Sequence, residues 1–216
     1  MIELLKSVVL GVIILLPLAN PLTAVAMFLG LAGGMVTEER NKTAVQSAFY
    51  TLIIILTTWY AGNYIMSAFG ISIAGLRIAG GMIVAFIGFT MLFPPQKNSV
   101  NNQLETVKTA SSISFVPLAM PATAGPGTIA LIMSTASTLH TGHDVSEFVI
   151  LMAPPIIALV IAILLWLSLR FSNSIMRLLG QKGIEAISRL MGFLLVCIGV
   201  QFVINGILEI VQQHAG

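Results

Sequence analysis

Charge is what this sequence has least of. Only 8 % of its 216 residues are Asp, Glu, Lys or Arg, where a soluble domain carries roughly 25 %. So little charge excludes an ordinary water-soluble globule, which would expose apolar patches large enough to aggregate. Cysteine is nearly absent. Cys197 stands alone in an apolar run, so an intrachain disulfide is excluded. With no His or carboxylate beside it, it reads as a small packing residue and not as a nucleophile. Catalytic signatures are missing too: there is no H-E-x-x-H, no G-x-S-x-G and no pair of intramembrane Asp residues, so no enzyme is expected. His140, His143 and Asp144 share a polar loop without a fourth ligand, so no metal or other cofactor is expected. The formal charge of +2 comes from basic residues scattered over loops with no aromatic-interleaved patch, which gives no reason to expect nucleic acid.

What is abundant is hydrocarbon. Hydrophobic residues make up 57 % of the chain and the mean hydropathy is +1.00, so the expected surrounding is a lipid bilayer. Six apolar stretches of spanning length run over about 7–32, 44–66, 71–93, 113–138, 148–169 and 188–210. The first has the outline of a signal peptide, with Lys6, an apolar run from Val8 and small residues at Ala24-Val25-Ala26. Its apolar run continues past that point and has a counterpart later in the chain, so it reads as a span. Phe93-Pro94-Pro95 closes the third span, because proline does not continue a helix. The expected organisation is an all-α membrane protein with a first three-span unit over 1–93, a polar linker over 94–112 and a second three-span unit over 113–216.

Basic residues give the expected orientation. An even number of spans puts both termini on one side, with Lys6 and Arg77; the other side holds Arg40, Lys42, Lys97, Lys108, Arg170, Arg177, Lys182 and Arg189. The positive-inside rule then places both termini outside the cytoplasm. Trp59, Tyr60, Tyr64 and Trp166 suit the membrane–water interface.

The halves resemble each other. Leu16-Pro17-Leu18-Ala19-Asn20-Pro21 matches Val116-Pro117-Leu118-Ala119-Met120-Pro121, and an Arg-x-x-Gly opens the third span of each half at Arg77 and Arg189. Three spans per half make the second half inverted relative to the first, an arrangement characteristic of transporters. Spans one and four also carry intramembrane prolines: Pro17 and Pro21 in one, Pro117, Pro121 and Pro126 in the other. Each removes a helical donor, and unpaired backbone at membrane depth is tolerated only inside protein or beside a wet cavity. These two spans are therefore expected to be broken at proline and to face each other or a pocket. The free N–H groups of a half-helix suit a carboxylate, and freed carbonyls suit an ammonium group or Na⁺. The candidate binding residues are Asn20, Pro21, Thr23, Thr123, Gly125, Pro126, Gly127 and Thr128, forming a small neutral midplane site. Pro17, Pro117, Pro121, Arg77 and Arg189 are structural or gating candidates. No carboxylate, lysine or histidine lies deep in a span, which disfavours a proton relay; any ion coupling would use Na⁺ on carbonyls and hydroxyls.

Long stretches carry a resemblance: LLPLANPLTAVAMFLGLAG, FGISIAGLRIAGGMIVAFIGF, FVPLAMPATAGPGTIA and GIEAISRLMGFLLVCIGVQFVINGILEI. Over nearly its whole length the chain resembles the MarC family of bacterial inner-membrane proteins. The resemblance implies a six-span protein of the plasma membrane, some of whose relatives are regarded as transporters of small neutral amino acids. It supplies no binding residues, so the candidates above rest on the broken spans. Efflux of apolar drugs would want a large aromatic- or Met-rich cavity, and a non-transporting scaffold would have no need of matched intramembrane breaks. The oligomeric state is not encoded in any of these features.

Overall fold

The computed structural model describes residues 2–32, 35–94, 124–141 and 147–215. These residues form helices and no strands. In chain order they are α1 (Ile2–Ala19), α2 (Pro21–Leu31), α3 (Thr37–Phe69), α4 (Ile73–Leu92), α5 (Pro126–Thr141), α6 (Glu147–Arg170) and α7 (Ser172–Ala215). Among the described residues, five stretches are long and apolar enough to cross a membrane: Ile2–Leu31, Thr37–Gly62, Ile73–Leu92, Phe148–Arg170 and Ser172–Gln212. The fourth expected span is represented by α5 alone, whose apolar part, Gly127–Ala136, is shorter. The first portion of that span, with Pro117, Pro121 and Thr123, lies outside the described residues, as do nearly all of the 94–112 linker and the loop carrying His143 and Asp144.

Helix ends follow local chemistry. Gly70 closes α3 in a left-handed conformation (φ 65°, ψ 27°) that lets its N–H reach the Met66 and Ser67 carbonyls. Ser72 then caps α4 by accepting a hydrogen bond from the Gly75 N–H at 3.0 Å. Inside α7, Gly180 holds φ 65° and ψ 171°, a combination open essentially to glycine alone. A glycine with positive φ thus precedes α4, and another lies near the start of α7.

The tightest packing joins α4 and α7. A Cβ placed on Gly81 would lie 2.5 Å from the Gly199 carbonyl oxygen, and one on Gly88 would lie 2.5 Å from that of Gly192. A Cβ on Gly206 would lie 2.9 Å from the Ala74 carbonyl oxygen. Small residues recur one heptad apart on both helices, so two antiparallel backbones meet directly, as small-residue interfaces allow in lipid. Around this seam α5 packs antiparallel to α4, with Gly80 against Ala130 and Gly127 against Val84 and Ile87. On the far side α3 pairs antiparallel with α6, where Tyr60 donates to the Leu151 carbonyl at 3.1 Å. The first span runs parallel to α6: Gly11 faces Ile157, and further along Ala24 and Phe28 pack with Leu165 and Leu169. A central cluster of Leu15, Leu18, Trp59, Val84, Ile132, Ile161 and Leu195 ties these helices together. Large apolar side chains such as Phe86, Phe89, Leu190 and Phe193 point outward, as lipid-facing surfaces do.

Two aromatic and thiol expectations need correction. Trp59 packs in the central cluster, where α5 and α6 close over it, instead of offering its ring to the surroundings; Tyr60 and Tyr64 are exposed. Cys197 is exposed on α7 and packs no core.

Candidate functional site

The first span is broken at the Asn20–Pro21 junction and not at Pro17. Pro17 sits inside α1, which continues to Ala19. The break is at Asn20, whose backbone is left-handed (φ 34°, ψ 65°). Asparagine tolerates this conformation better than most L residues because its short amide can bond locally. The amide does so here: Asn20 Oδ1 accepts from the Thr23 N–H at 3.3 Å and caps α2. Pro21 occupies the first position of α2, where its missing N–H leaves nothing unsatisfied. Asn20 is buried, and its Nδ2 is 3.7 Å from Met91 Sδ on α4. Thr23 reaches the other way, its hydroxyl 3.0 Å from that of Ser188 on α7.

The second half repeats this start. Ala124 and Gly125 are buried, and α5 begins at Pro126. Ala19-Asn20-Pro21-Leu22-Thr23 and Ala124-Gly125-Pro126-Gly127-Thr128 therefore occupy equivalent positions at the start of a helix. The expected register pairs Asn20 with Met120, and Val116 to Pro121 lie outside the described residues. Each helix start places proline at the first helical position, after Asn20 in one and Gly125 in the other.

The two starts are adjacent. A Cβ on Gly127 would lie 3.1 Å from Leu18 Cδ2, 3.1 Å from Ile87 Cδ1 and 3.2 Å from Val84 Cγ2. Gly127 thus touches the end of α1, two residues before Asn20, and both starts rest on α4. Helix α5 runs back along α1, since Leu131 and Thr135 share a wall with Leu10 and Leu15, while α2 runs onward along α6. Two N-terminal helix ends, each with partial positive charge, converge inside the bundle. Thr128 is buried beside this point.

The arginine candidates separate. Arg77, on α4, donates from Nη1 to Glu209 Oε2 on α7 at 2.8 Å, with side chains only 17 % and 25 % exposed. It is an interhelical tie at the far end of the seam, away from the helix starts. Arg189 pairs within its own helix with Glu185 at 2.7 Å, and both are about half exposed. Neither reaches Asn20 or Gly127. Arg77→Ala strands the Glu209 charge and is expected to destabilise the protein by about 3 kcal/mol. The charge-swapped pair Arg77→Glu with Glu209→Arg should recover much of that loss in a melting experiment, whereas a spacer role for Arg77 would give no recovery.

Sequence reasoning missed two features. A cavity of about 230 Å³ lies between α1, α3, α5 and α6, walled by Leu10, Ile14, Trp59, Ile132, Ala153 and Pro154. It is almost wholly apolar and ends at Leu15, short of the helix starts. A buried hydroxyl stripe, Thr43, Ser47 and Thr51, runs along α3. Thr43 and Ser47 donate to carbonyls one turn back on their own helix, but Thr51 Oγ1 is buried without a hydrogen-bond partner among the described residues. The i, i+4 spacing of the stripe was visible; which face it occupied was not.

Apolar helices of spanning length, a lipid-facing exterior and paired intramembrane helix starts define a multi-pass helical membrane protein. The chain belongs to the MarC family: the family model for MarC family integral membrane proteins matches residues 5–211. The inner membrane protein MarC of Citrobacter koseri is 58 % identical over 99 % of this chain and 100 % of its own length. The namesake of Salmonella typhimurium is 58 % identical and that of Escherichia coli O1:K1 57 %, over the same shares. No solved structure matches the chain.

Proposed function

We propose that this protein is a transporter of small neutral amino acids or similar small solutes, bound where α2 and α5 begin. The observation that carries the reading is the pair of helix starts at Pro21 and Pro126, with Asn20, Gly125 and Thr128 buried and Leu18 against Gly127. Converging helix N-termini favour a carboxylate, and the Asn20 carbonyl oxygen or the Thr23 and Thr128 hydroxyls could receive an ammonium group or Na⁺. The neighbouring positions are glycine and alanine, so a solute held there would be one with a small side chain. No catalytic step belongs to this mechanism.

An inverted repeat supports alternating access. Exchanging the halves carries the Gly81–Gly199 contact onto Gly192–Gly88, and the packing of α5 on α4 onto that of α2 on α7. Rocking of one unit against the other would then expose the helix starts to either side. Both termini outside the cytoplasm suit this scheme, and Glu209 neutralises Arg77, a basic residue on the charge-poor side. The apolar cavity favours a second reading, export of a more apolar drug or metabolite, with the cavity as its vestibule.

Thermal stability of the purified protein against a solute panel tests both readings. A ligand that binds only the folded state adds about 2.7 kcal/mol of stability at a hundredfold excess over Kd and so raises the melting temperature. Saturable shifts with glycine, alanine or serine, larger in Na⁺ than in K⁺, are expected. Shifts confined to apolar compounds would replace the first reading by the second. No shift with any solute would favour a scaffold.

A further inference from the structure

Opposite the Arg77–Glu209 end, the start of α3 meets the junction between α6 and α7. There Phe28, Thr37, Arg40, Asn41, Arg170 and Ser172 line a cavity of about 100 Å³. Its two guanidinium groups are held in place by neutral partners. Arg40 Nη2 donates to Ser172 Oγ and Asn173 Oδ1, each at 3.4 Å, and its guanidinium lies over the Phe28 ring, 5.6 Å from the centroid. Arg170 Nη1 donates to Asn41 Oδ1. Among the described residues the ion pairs are Arg77–Glu209 and Arg189–Glu185, so neither Arg40 nor Arg170 has a carboxylate in reach. Two cations brought to one cavity repel each other, and each guanidinium keeps N–H donors to spare. Of the remaining walls, Phe28 and Leu169 are apolar, Asn41 and Asn173 turn their Oδ1 atoms to the arginines, and Ser172 is buried with its hydroxyl accepting from Arg40; α3 and α7 both begin here, at Thr37 and Ser172. Their first N–H groups add partial positive charge. The volume corresponds to about three waters, the bulk of one phosphate group.

We propose that this cavity binds a phosphate group, supplied by the headgroup of an anionic phospholipid. Forked guanidinium donors match the oxygens of a phosphate, and basic pockets between membrane helices at the cytoplasmic face are suited to such headgroups. The site lies on the side that carries Lys42, Arg177 and Lys182, where the charge asymmetry places the cytoplasm. Bound there, the lipid ties the first span, through Phe28, to α3, α6 and α7.

The test is native mass spectrometry of the full-length protein in detergent with phosphatidylglycerol or phosphatidylcholine, alongside melting curves with each lipid and with inorganic phosphate. Phosphatidylglycerol should be retained in preference to phosphatidylcholine and raise the melting temperature. The double variant Arg40→Gln, Arg170→Gln should weaken its retention by about tenfold or more, while Arg177→Gln on the same side leaves it unchanged. Stabilisation by inorganic phosphate without lipid preference, lost in the double variant, would keep the phosphate site but make its source a free anion. Equal retention and stabilisation by both lipids in the unmodified protein, with no effect of phosphate, overturns the proposal without recourse to any variant.

Discussion

Gly199→Val is expected to leave almost no folded protein in the membrane. A Cβ on Gly199 would lie 2.5 Å from the Ala85 amide nitrogen and 2.5 Å from the Gly81 carbonyl oxygen. These neighbours are backbone, so no rotamer change relieves the contact; α4 and α7 must separate. Overpacking a core costs typically about 1–3 kcal/mol where side chains can shift, and a backbone clash lies at or beyond the top of that range. Separation would also weaken the reciprocal approaches at Gly88–Gly192 and Ala74–Gly206 and the Arg77–Glu209 pair beyond them. The sign of a milder change discriminates further. On an open helix face Gly→Ala stabilises by up to about 1 kcal/mol through helix propensity. Gly30→Ala, with no atom within 4 Å of the added Cβ, should be neutral or better, whereas Gly199→Ala should melt lower than wild type. Fluorescence-detected size-exclusion profiles and melting temperatures of the variants check the ordering. Gly199→Val as stable as wild type would mean that the two backbones do not meet.

Asn20 separates folding from transport. Asn20→Ala loses the cap on Thr23, worth about 1 kcal/mol, and places a Cβ residue without a local amide in the left-handed region, which costs roughly 1–2 kcal/mol more. Asn20→Gly keeps the backbone conformation, and replacing a cap by glycine costs only a few tenths of a kcal/mol, about 0.3. Glycine is also what the second helix start uses, at Gly125. Asn20→Gly should therefore fold nearly as well as wild type, and Asn20→Ala should melt clearly lower. If the carboxamide touches the solute, Asn20→Gly lowers transport despite intact folding. If it only caps α2, Asn20→Gly transports normally and the solute is held by backbone alone.

The membrane class and the approximate positions of five spans were legible because burial in lipid demands uninterrupted apolar length, which composition records directly. The broken first span was legible from its prolines, but its location was not. Pro17 and Pro21 look alike in sequence; only the left-handed Asn20 between them decides that Pro17 stays inside α1 and Pro21 starts α2. Pro117 and Pro121, which the sequence pairs with Pro17 and Pro21, lie outside the described residues; Pro126 is the proline of the fourth expected span that begins a described helix. The Gly81–Gly199 seam was written in heptad-spaced small residues, yet pairing them required knowing which helices are neighbours. Partners distant in sequence, Arg77 with Glu209 and Arg40 with Ser172, carry no local signal at all. Burial of Trp59 likewise depends on α5 and α6, which sequence position alone does not reveal.

Solute counterflow tests the central proposal most directly. Proteoliposomes loaded with unlabelled alanine or serine are placed in labelled solute, and accumulation is followed for wild type, Asn20→Gly and the cavity variant Ile132→Ala at matched reconstitution. Transient accumulation by wild type, reduced in Asn20→Gly and kept in Ile132→Ala, is the expected result. Wild-type liposomes that accumulate no more label than protein-free ones, from protein shown to be folded, would contradict transport of small neutral amino acids at the paired helix starts.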